Sequence, residues 1–232
     1  MENNNVNITV DGRGYQVPAG STILEACRGI GIQIPSLCYM KDVSHNASCA
    51  ICVVEVKGAK ALVRSCISNV AEGMEIKTHS PLVDQARKIN LELILANHPK
   101  DCLICERNGN CELQDLTATI GIKETVFART KPAGKVDDTS VSLLRTPEKC
   151  ILCGRCVAVC SQVQTVHAID FTGRGLKTKI STYLDKGLGN VACTNCGQCA
   201  LVCPTAAITE KDESRSVFDE IYNENKYVIV QT

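Results

Sequence analysis

Cysteine constrains this chain more than any other residue: there are 16 in 232 residues. Two stretches, CILCGRCVAVC at 150–160 and CTNCGQCALVC at 193–203, repeat one pattern, C-x2-C-x2-C-x3-C. Both carry glycine after the second cysteine and valine before the fourth. Aromatic residues make up only 3% of the chain and tryptophan is absent, so the apolar core is modest. A chain this rich in cysteine draws order from disulfides or from metals.

The setting decides between them. MENNNVNITV has no basic start followed by an apolar stretch, so it does not read as a secretion signal. No run approaches the length of apolar sequence needed to span a bilayer. These features point to a reducing cytoplasm, where clustered cysteines act as metal ligands more often than as disulfides. Lys plus Arg and Asp plus Glu are each 25, which gives no basic surplus for a nucleic-acid partner.

By spacing, fifteen cysteines fall into four groups. They are Cys38, Cys49, Cys52 and Cys66; Cys102, Cys105 and Cys111; Cys150, Cys153, Cys156 and Cys160; and Cys193, Cys196, Cys199 and Cys203. Cys27 is left over. It lies in TILEACRGI, a predicted helix at 22–30 with a Thr22/Glu25 capping box and an end near Gly29 or Gly31, where it reads as a small buried hydrophobe.

The two repeated runs resemble bacterial two-cluster ferredoxins, in which three cysteines hold one cubane and the fourth crosses to the other. That pattern assigns Cys150, Cys153, Cys156 and Cys203 to one [4Fe–4S] cluster, and Cys193, Cys196, Cys199 and Cys160 to a second. Three thiolates must wrap one face of a cube while backbone N–H groups turn toward its sulfurs. Gly154 and Gly197 allow the chain to fold that closely. Pro204 follows the last cysteine as the motif expects, whereas Ser161 stands in the equivalent earlier position, and a long insert, 161–192, separates the halves. Zinc is the competing reading.

The first group, C-x10-C-x2-C-x13-C, sits in a stretch that reads as β-grasp. A hairpin from NITV to YQVP leads to the helix at 22–30, then to strands CVVEV and ALVRSC joined by a Lys57-Gly58 turn. Small residues Ser48 and Ala50 suit a loop closing on a [2Fe–2S] rhomb. The ten-residue gap after Cys38 departs from the four of plant ferredoxins.

The second group has only three cysteines. Upstream, SPLVDQARKINLELILAN reads as a helix, capped by Ser80 with Pro81 in its first turn. Leu82, Ala86, Ile89 and Leu93 recur at helical spacing. Pro99 stops it and delivers His98 beside Cys102. A lone histidine at a helix end is usually solvated or bonded to the last carbonyls; beside three cysteines short of a partner it is a candidate ligand, to zinc or to a cluster. His45, His79 and His167 have no such company and read as surface residues.

The ordered set, with His-x3-Cys-x2-Cys-x5-Cys following the β-grasp group and preceding the repeated runs, resembles the N-terminal iron–sulfur region of NAD-dependent multisubunit iron hydrogenases. It is similar also to the small iron–sulfur diaphorase subunit of NAD-reducing nickel–iron hydrogenases, and its first two groups to the large iron–sulfur subunit of respiratory complex I. The resemblance covers about residues 5–210 and implies a [4Fe–4S] cluster on His98, Cys102, Cys105 and Cys111. It implies an α+β chain with a [2Fe–2S] ferredoxin-like domain at 1–79 and, at 80–125, a small helical domain whose cluster has one histidine and three cysteine ligands. A linker at 126–145, a two-[4Fe–4S] ferredoxin-like domain at 146–210 and a tail at 211–232 follow. The tail, SVFDEIYNEN then KYVIVQT, resembles a linker helix and a first strand, and YVIV is a candidate strand for a subunit contact.

There is no G-x-G-x-x-G opening a helix and no Walker A run. The expectation is therefore one [2Fe–2S] and three [4Fe–4S] clusters, no flavin or NAD bound by this chain, and no catalytic residues of its own. Its expected role is electron-transfer subunit of an NAD(P)-linked oxidoreductase, a hydrogenase or a ferredoxin-linked bifurcating complex. Its partners in that hetero-oligomer would be a flavin-containing NAD(P)H-reacting subunit and a second redox subunit or ferredoxin. Two alternatives stand beside it: an N-terminal fragment of a complete iron hydrogenase, and a zinc-stabilised interaction module.

Overall fold

The computed structural model describes residues 5–130, 132 and 134–231. Residues 1–4 of the first expected domain, 131 and 133 of the expected linker and 232 of the tail lie outside the described residues.

Strands β1 (Asn5–Val10) and β2 (Arg13–Pro18) pair antiparallel across Asp11 and Gly12, both at positive φ (48° and 81°). This is the two-residue turn whose twist matches that of the strands. Helix α1 (Ile23–Gly29) starts on the expected capping box: Thr22 Oγ1 accepts from the Glu25 amide at 3.2 Å, and the Glu25 carboxylate accepts from the Thr22 amide at 3.3 Å. Strands β3 (Val53–Val56) and β4 (Val63–Arg64) follow, with the Ala59 amide donating to the Val56 carbonyl over Lys57 and Gly58. A strand with no place in the sequence reading, β5 (Met74–Lys77), runs through the sheet, parallel to β1 and antiparallel to β3. The order β2-β1-β5-β3-β4 with α1 packed on it is the β-grasp arrangement. Its core is Ile8, Val10, Val17, Ile23, Leu24 and Ile76, joined by Cys27, fully buried as expected.

Helix α2 (Pro81–Ala96) has Ser80 as its cap, the hydroxyl accepting from the Val83 amide at 3.2 Å. Its orientation differs from what the apolar spacing suggests. Leu82, Ile89 and Leu93 are 56%, 40% and 45% exposed, while the inward face carries Val83, Arg87, Leu91 and Ala96. The reason is polar: Arg87 and Asn90 reach main-chain carbonyls of the cysteine loop at 50–53, and satisfying those buried acceptors sets the rotation of the helix. Helix α3 (Glu112–Ile120) starts beside Cys111 and ends on Gly121 in the left-handed region.

Past the second cysteine group, β6 (Leu143–Arg145) pairs antiparallel with β9 (Ile208–Glu210), tying residues at the end of the expected linker to the repeated-motif unit. Between them lie α4 (Arg155–Ala158), running into a π turn at Val159–Val163, a hairpin of β7 (Asp170–Thr172) with β8 (Lys179–Ser181), and α5 (Gln198–Leu201). Thus the 161–192 insert has its own small sheet. Ser161 lies inside the π turn, where the ring of a proline and its missing N–H would interrupt the helical bonding. Helix α6 (Ser214–Ile221) lies at the surface. The expected tail strand is not formed: residues 227–231 pair with no strand among the described residues and are exposed, since a lone strand has no ladder to complete. No helix among the described residues is long and apolar enough to cross a membrane.

Candidate metal centres

Cys38, Cys49, Cys52 and Cys66 converge in the loop packed between the β-grasp sheet and α2, each less than 9% exposed. The Cys38 and Cys49 sulfurs are 3.4 Å apart. Ala47 and Ala50 both adopt positive φ (49° and 52°), so the loop depends on small side chains near Cys49. A hydrogen bond from the Cys49 thiol holds Cys38 down to about 5, and one from Cys66 holds Cys52 down to about 6, against burial acting the other way. Cys49 and Cys66 are pushed up as the partners that keep the protons. From α2, Arg87 donates to the carbonyls of Ile51 (3.1 Å) and Val53 (2.9 Å), and Asn90 Nδ2 to that of Ala50 (2.8 Å).

At the end of α2 the His98 amide donates to the Leu95 carbonyl at 3.1 Å, and the ring Nδ1 is buried. His98, Cys102 and Cys111 line one cavity of about 370 Å³. Cys105 follows a 3-10 turn at Cys102–Ile104, its amide donating to the Cys102 carbonyl at 3.2 Å. The other three histidines, His45, His79 and His167, are exposed.

In the repeated-motif unit, one cavity is lined by Cys150, Cys153, Cys156 and Cys203, and another by Cys160, Cys193, Cys196 and Cys199. Each holds three cysteines of one run and the last of the other. The pseudo-symmetry extends to the main chain. Leu152 and Asn195, both at positive φ (57° and 54°), point their amides at the sulfurs of Cys150 and Cys193, each at 3.4 Å. Gly154 and Gly197 follow at φ 78° and 74°. The two glycines are not equivalent. A Cβ at Gly154 would meet Asn46 Nδ2 at 2.1 Å, whereas one at Gly197 meets nothing within 4 Å. Asn46 belongs to the first cysteine loop and donates to the Cys153 carbonyl at 3.3 Å.

The sites are packed against one another. Cys38, Cys49, Cys111 and Cys153 share one apolar cluster with Leu91 and Leu113. A second cluster joins Cys150 and Cys156 to Cys160, Cys193 and Cys199. Among the described residues no three His, Cys, Asp or Glu side chains form a group able to hold a single metal ion. What the chain offers is three groups of four cysteines and a cavity lined by His98, Cys102 and Cys111, with amides directed at two of the sulfurs and largely apolar linings, a donor chemistry that fits iron–sulfur clusters. Such clusters, when bound, supply one-electron acceptor and donor chemistry.

Sequence reasoning did not single out the groups around the cysteines: Asn46, Arg87, Asn90, and the ion pairs Glu106–Lys149 and Glu112–Arg155. The signal available for the last four was their direct adjacency to a motif cysteine.

Fold and sites together define an iron–sulfur protein: a [2Fe–2S] ferredoxin-like domain followed by [4Fe–4S] binding regions. Residues 3–81 match the 2Fe-2S iron-sulfur cluster binding domain, 87–125 the NADH-ubiquinone oxidoreductase-G iron-sulfur binding region, and 149–207 the 4Fe-4S dicluster domain. The chain is 42% identical over 232 residues to the NADP-reducing hydrogenase subunit HndD of Solidesulfovibrio fructosivorans, covering 98% of this chain and 40% of that protein. It is 40% identical over 208 residues to the NADH-ubiquinone oxidoreductase 75 kDa subunit of Reclinomonas americana, covering 89% and 29%. Among solved structures, an NAD+-reducing [NiFe]-hydrogenase in the H2-reduced state aligns with TM-score 0.83 at 29% identity, over 89% of this chain and 87% of that one. The chain is thus similar, over 98% and 89% of its own length, to part of an NADP-reducing hydrogenase subunit and part of an NADH-ubiquinone oxidoreductase subunit, and it spans well under half the length of these curated relatives.

Proposed function

We propose that this chain is an electron relay holding one [2Fe–2S] and three [4Fe–4S] clusters, working as a subunit of an NAD(P)-linked oxidoreductase in the cytoplasm. Its ligand sets are Cys38, Cys49, Cys52 and Cys66; His98, Cys102, Cys105 and Cys111; Cys150, Cys153, Cys156 and Cys203; and Cys193, Cys196, Cys199 and Cys160. The domains run 1–79, 80–125, 146–210 and a tail at 211–232, with a linker at 126–145 whose last strand packs on the ferredoxin-like unit. One observation carries the reading: ligands of three sets share one apolar cluster, and the two ferredoxin-like sets share another, so every site is in packing contact with the next. Fixed neighbours packed through shared apolar side chains suit transfer of electrons rather than storage or structural bracing.

Electrons would enter from a flavin-bearing, NAD(P)H-reacting partner and leave to a second redox subunit or a ferredoxin, in a hydrogenase or a bifurcating complex. The chain itself binds no flavin or nucleotide in this reading. A second reading makes it the relay part of a longer iron hydrogenase, favoured by the 42% match that spans 40% of a hydrogenase subunit. The test is an oxygen-free preparation, with about 14 irons and equal sulfide expected from one rhomb and three cubanes. The same preparation should accept electrons from a chemical reductant and give NADH-driven dye reduction only after a flavoprotein partner is added. Zinc as the main metal, or NADH oxidation by the chain alone, overturns the proposal.

A further inference from the structure

The two ferredoxin-like sites differ in their surroundings although their ligand patterns match. Cys153, Cys156 and Cys203 are each below 10% exposed, whereas none of Cys160, Cys193, Cys196 and Cys199 is buried. Reducing a cluster adds a negative charge, and burial disfavours that charge. On burial alone, the first site would be much harder to reduce than its neighbour and would interrupt a relay. The first site, however, has a buried cation directly before two of its cysteines, which the second lacks; the second has Arg107 on the Ala200 carbonyl, beside Cys199. Lys149 directly precedes Cys150 and Arg155 directly precedes Cys156; the corresponding residues of the second run are Ala192 and Gln198. Both cationic side chains are about 90% buried.

Each is tied to a residue that directly follows a cysteine of the His98 group. Lys149 Nζ donates to Glu106 Oε2 at 2.7 Å, next to Cys105. The Arg155 guanidinium meets both oxygens of Glu112, next to Cys111, at 2.5 and 2.8 Å. The carboxylates are 56% and 49% exposed, so water screens them while the buried cations stay weakly screened, and the balance at the first site is positive. A third buried cation, Arg145, lines the cavity itself, whereas Lys149 and Arg155 only flank its cysteines, but it faces the nearly buried Asp137 at 3.0 Å, and those two charges largely cancel. The Arg155 Nε has no hydrogen-bond partner in the protein although it is buried, which leaves a donor for an acceptor the protein does not supply.

We propose that Lys149 and Arg155 set the potential of the cluster held by Cys150, Cys153, Cys156 and Cys203, offsetting its burial so that it stays reducible beside the more exposed second site. The inference rests on the ligand sets proposed above. When such a cluster is bound and one electron is supplied by an added reductant, Lys149 and Arg155 would stabilise the added negative charge. A unit charge roughly 10 Å away, at an effective dielectric of about 20, biases such an equilibrium by about tenfold; for a one-electron couple tenfold is about 59 mV.

The test is an EPR-monitored redox titration of the full chain, anaerobically loaded with iron and sulfide. Iron content and the signal lost in Cys203→Ser first establish that the first cluster is present and which signal it gives; failure at this stage counts against the ligand reading, not against the role of the cations. Lys149→Met and Arg155→Gln should each make the first cluster about tenfold harder to reduce and leave the signal lost in Cys160→Ser in place. Glu112→Gln should shift the first cluster the opposite way, and Arg155→Lys, which keeps the charge, should shift it little. Residues that only brace the two domains would change stability without moving the midpoint, and would not give opposite signs for Arg155→Gln and Glu112→Gln. Unmoved midpoints in Lys149→Met and Arg155→Gln with all signals intact overturn the proposal. If Arg155→Gln loses the cluster outright, Lys149→Met and Glu112→Gln decide alone.

Discussion

Arg87→Met is the sharpest probe of how the first cysteine loop is held. Arg87 is 4% exposed, and its Nε and Nη2 donate to the carbonyls of Ile51 and Val53, which bracket Cys52. A hydrogen bond involving a charged group contributes about 1.5–3 kcal/mol, so two give roughly 3–6 kcal/mol. Removing the cation recovers part of its desolvation penalty, evident in the burial that holds the Arg87 pKa down. Methionine also fills most of the vacated volume. The net loss is about 2–3 kcal/mol, which for a chain of this size lowers the midpoint of thermal unfolding by roughly 5–10 °C. The loss should be concentrated in the β-grasp unit, so the [2Fe–2S] signal in visible circular dichroism should disappear at lower temperature than the [4Fe–4S] absorbance. Arg87→Lys keeps the charge but lacks the two-pronged geometry and should fall between wild type and Arg87→Met. Arg87→Met within about 0.5 kcal/mol of wild type, or Arg87→Lys matching wild type, would refute the argument that the fork organises the loop.

His98→Ala should remove one [4Fe–4S] signal and spare those of the other two [4Fe–4S] clusters and of the [2Fe–2S] cluster, while His98→Cys should keep the cluster at a lower potential because a thiolate replaces a neutral ring; unaltered EPR signals in His98→Ala would count against the ligand. Cys203→Ala should disturb the cluster served by Cys150, Cys153 and Cys156 rather than the one served by Cys193, with the selective loss read by EPR. Gly154→Ala and Gly197→Ala both place a Cβ at positive φ, costing about 1–2 kcal/mol, but only at Gly154 does it collide with Asn46. Gly154→Ala should therefore be the more destabilising by chemical denaturation, and equal losses would mean that the Asn46 contact contributes nothing.

Much of the site was legible before any fold was known, because soft-metal sites are written in local spacing. C-x2-C-x2-C singled out the three cysteines of each run that line one cavity, together with Gly154 and Gly197, whereas the positive-φ turns at Leu152 and Asn195 emerged only in the structure. The capping box at Thr22 and the Ser80–Pro81 start of α2 were legible for the same reason: they depend on residues within one turn. Which side of α2 faces inward was not, because its apolar stripe competes with Arg87 and Asn90, and only the tertiary structure brings the carbonyls that decide the contest. Strand β5 was hidden likewise, since four residues with one β-branched side chain become a strand only when β1 and β3 offer edges on both sides. The company of the cysteines lay furthest from the sequence. Glu106, Glu112, Lys149 and Arg155 stand in plain view beside motif cysteines, yet their pairing joins positions 43 apart in the chain. Local sequence specifies three cysteines of each repeated run, because they must turn toward a common point within a few residues, while the fourth of each cavity arrives from the other run. The tertiary fold specifies the burial and charge around them, because both are sums over residues remote in sequence.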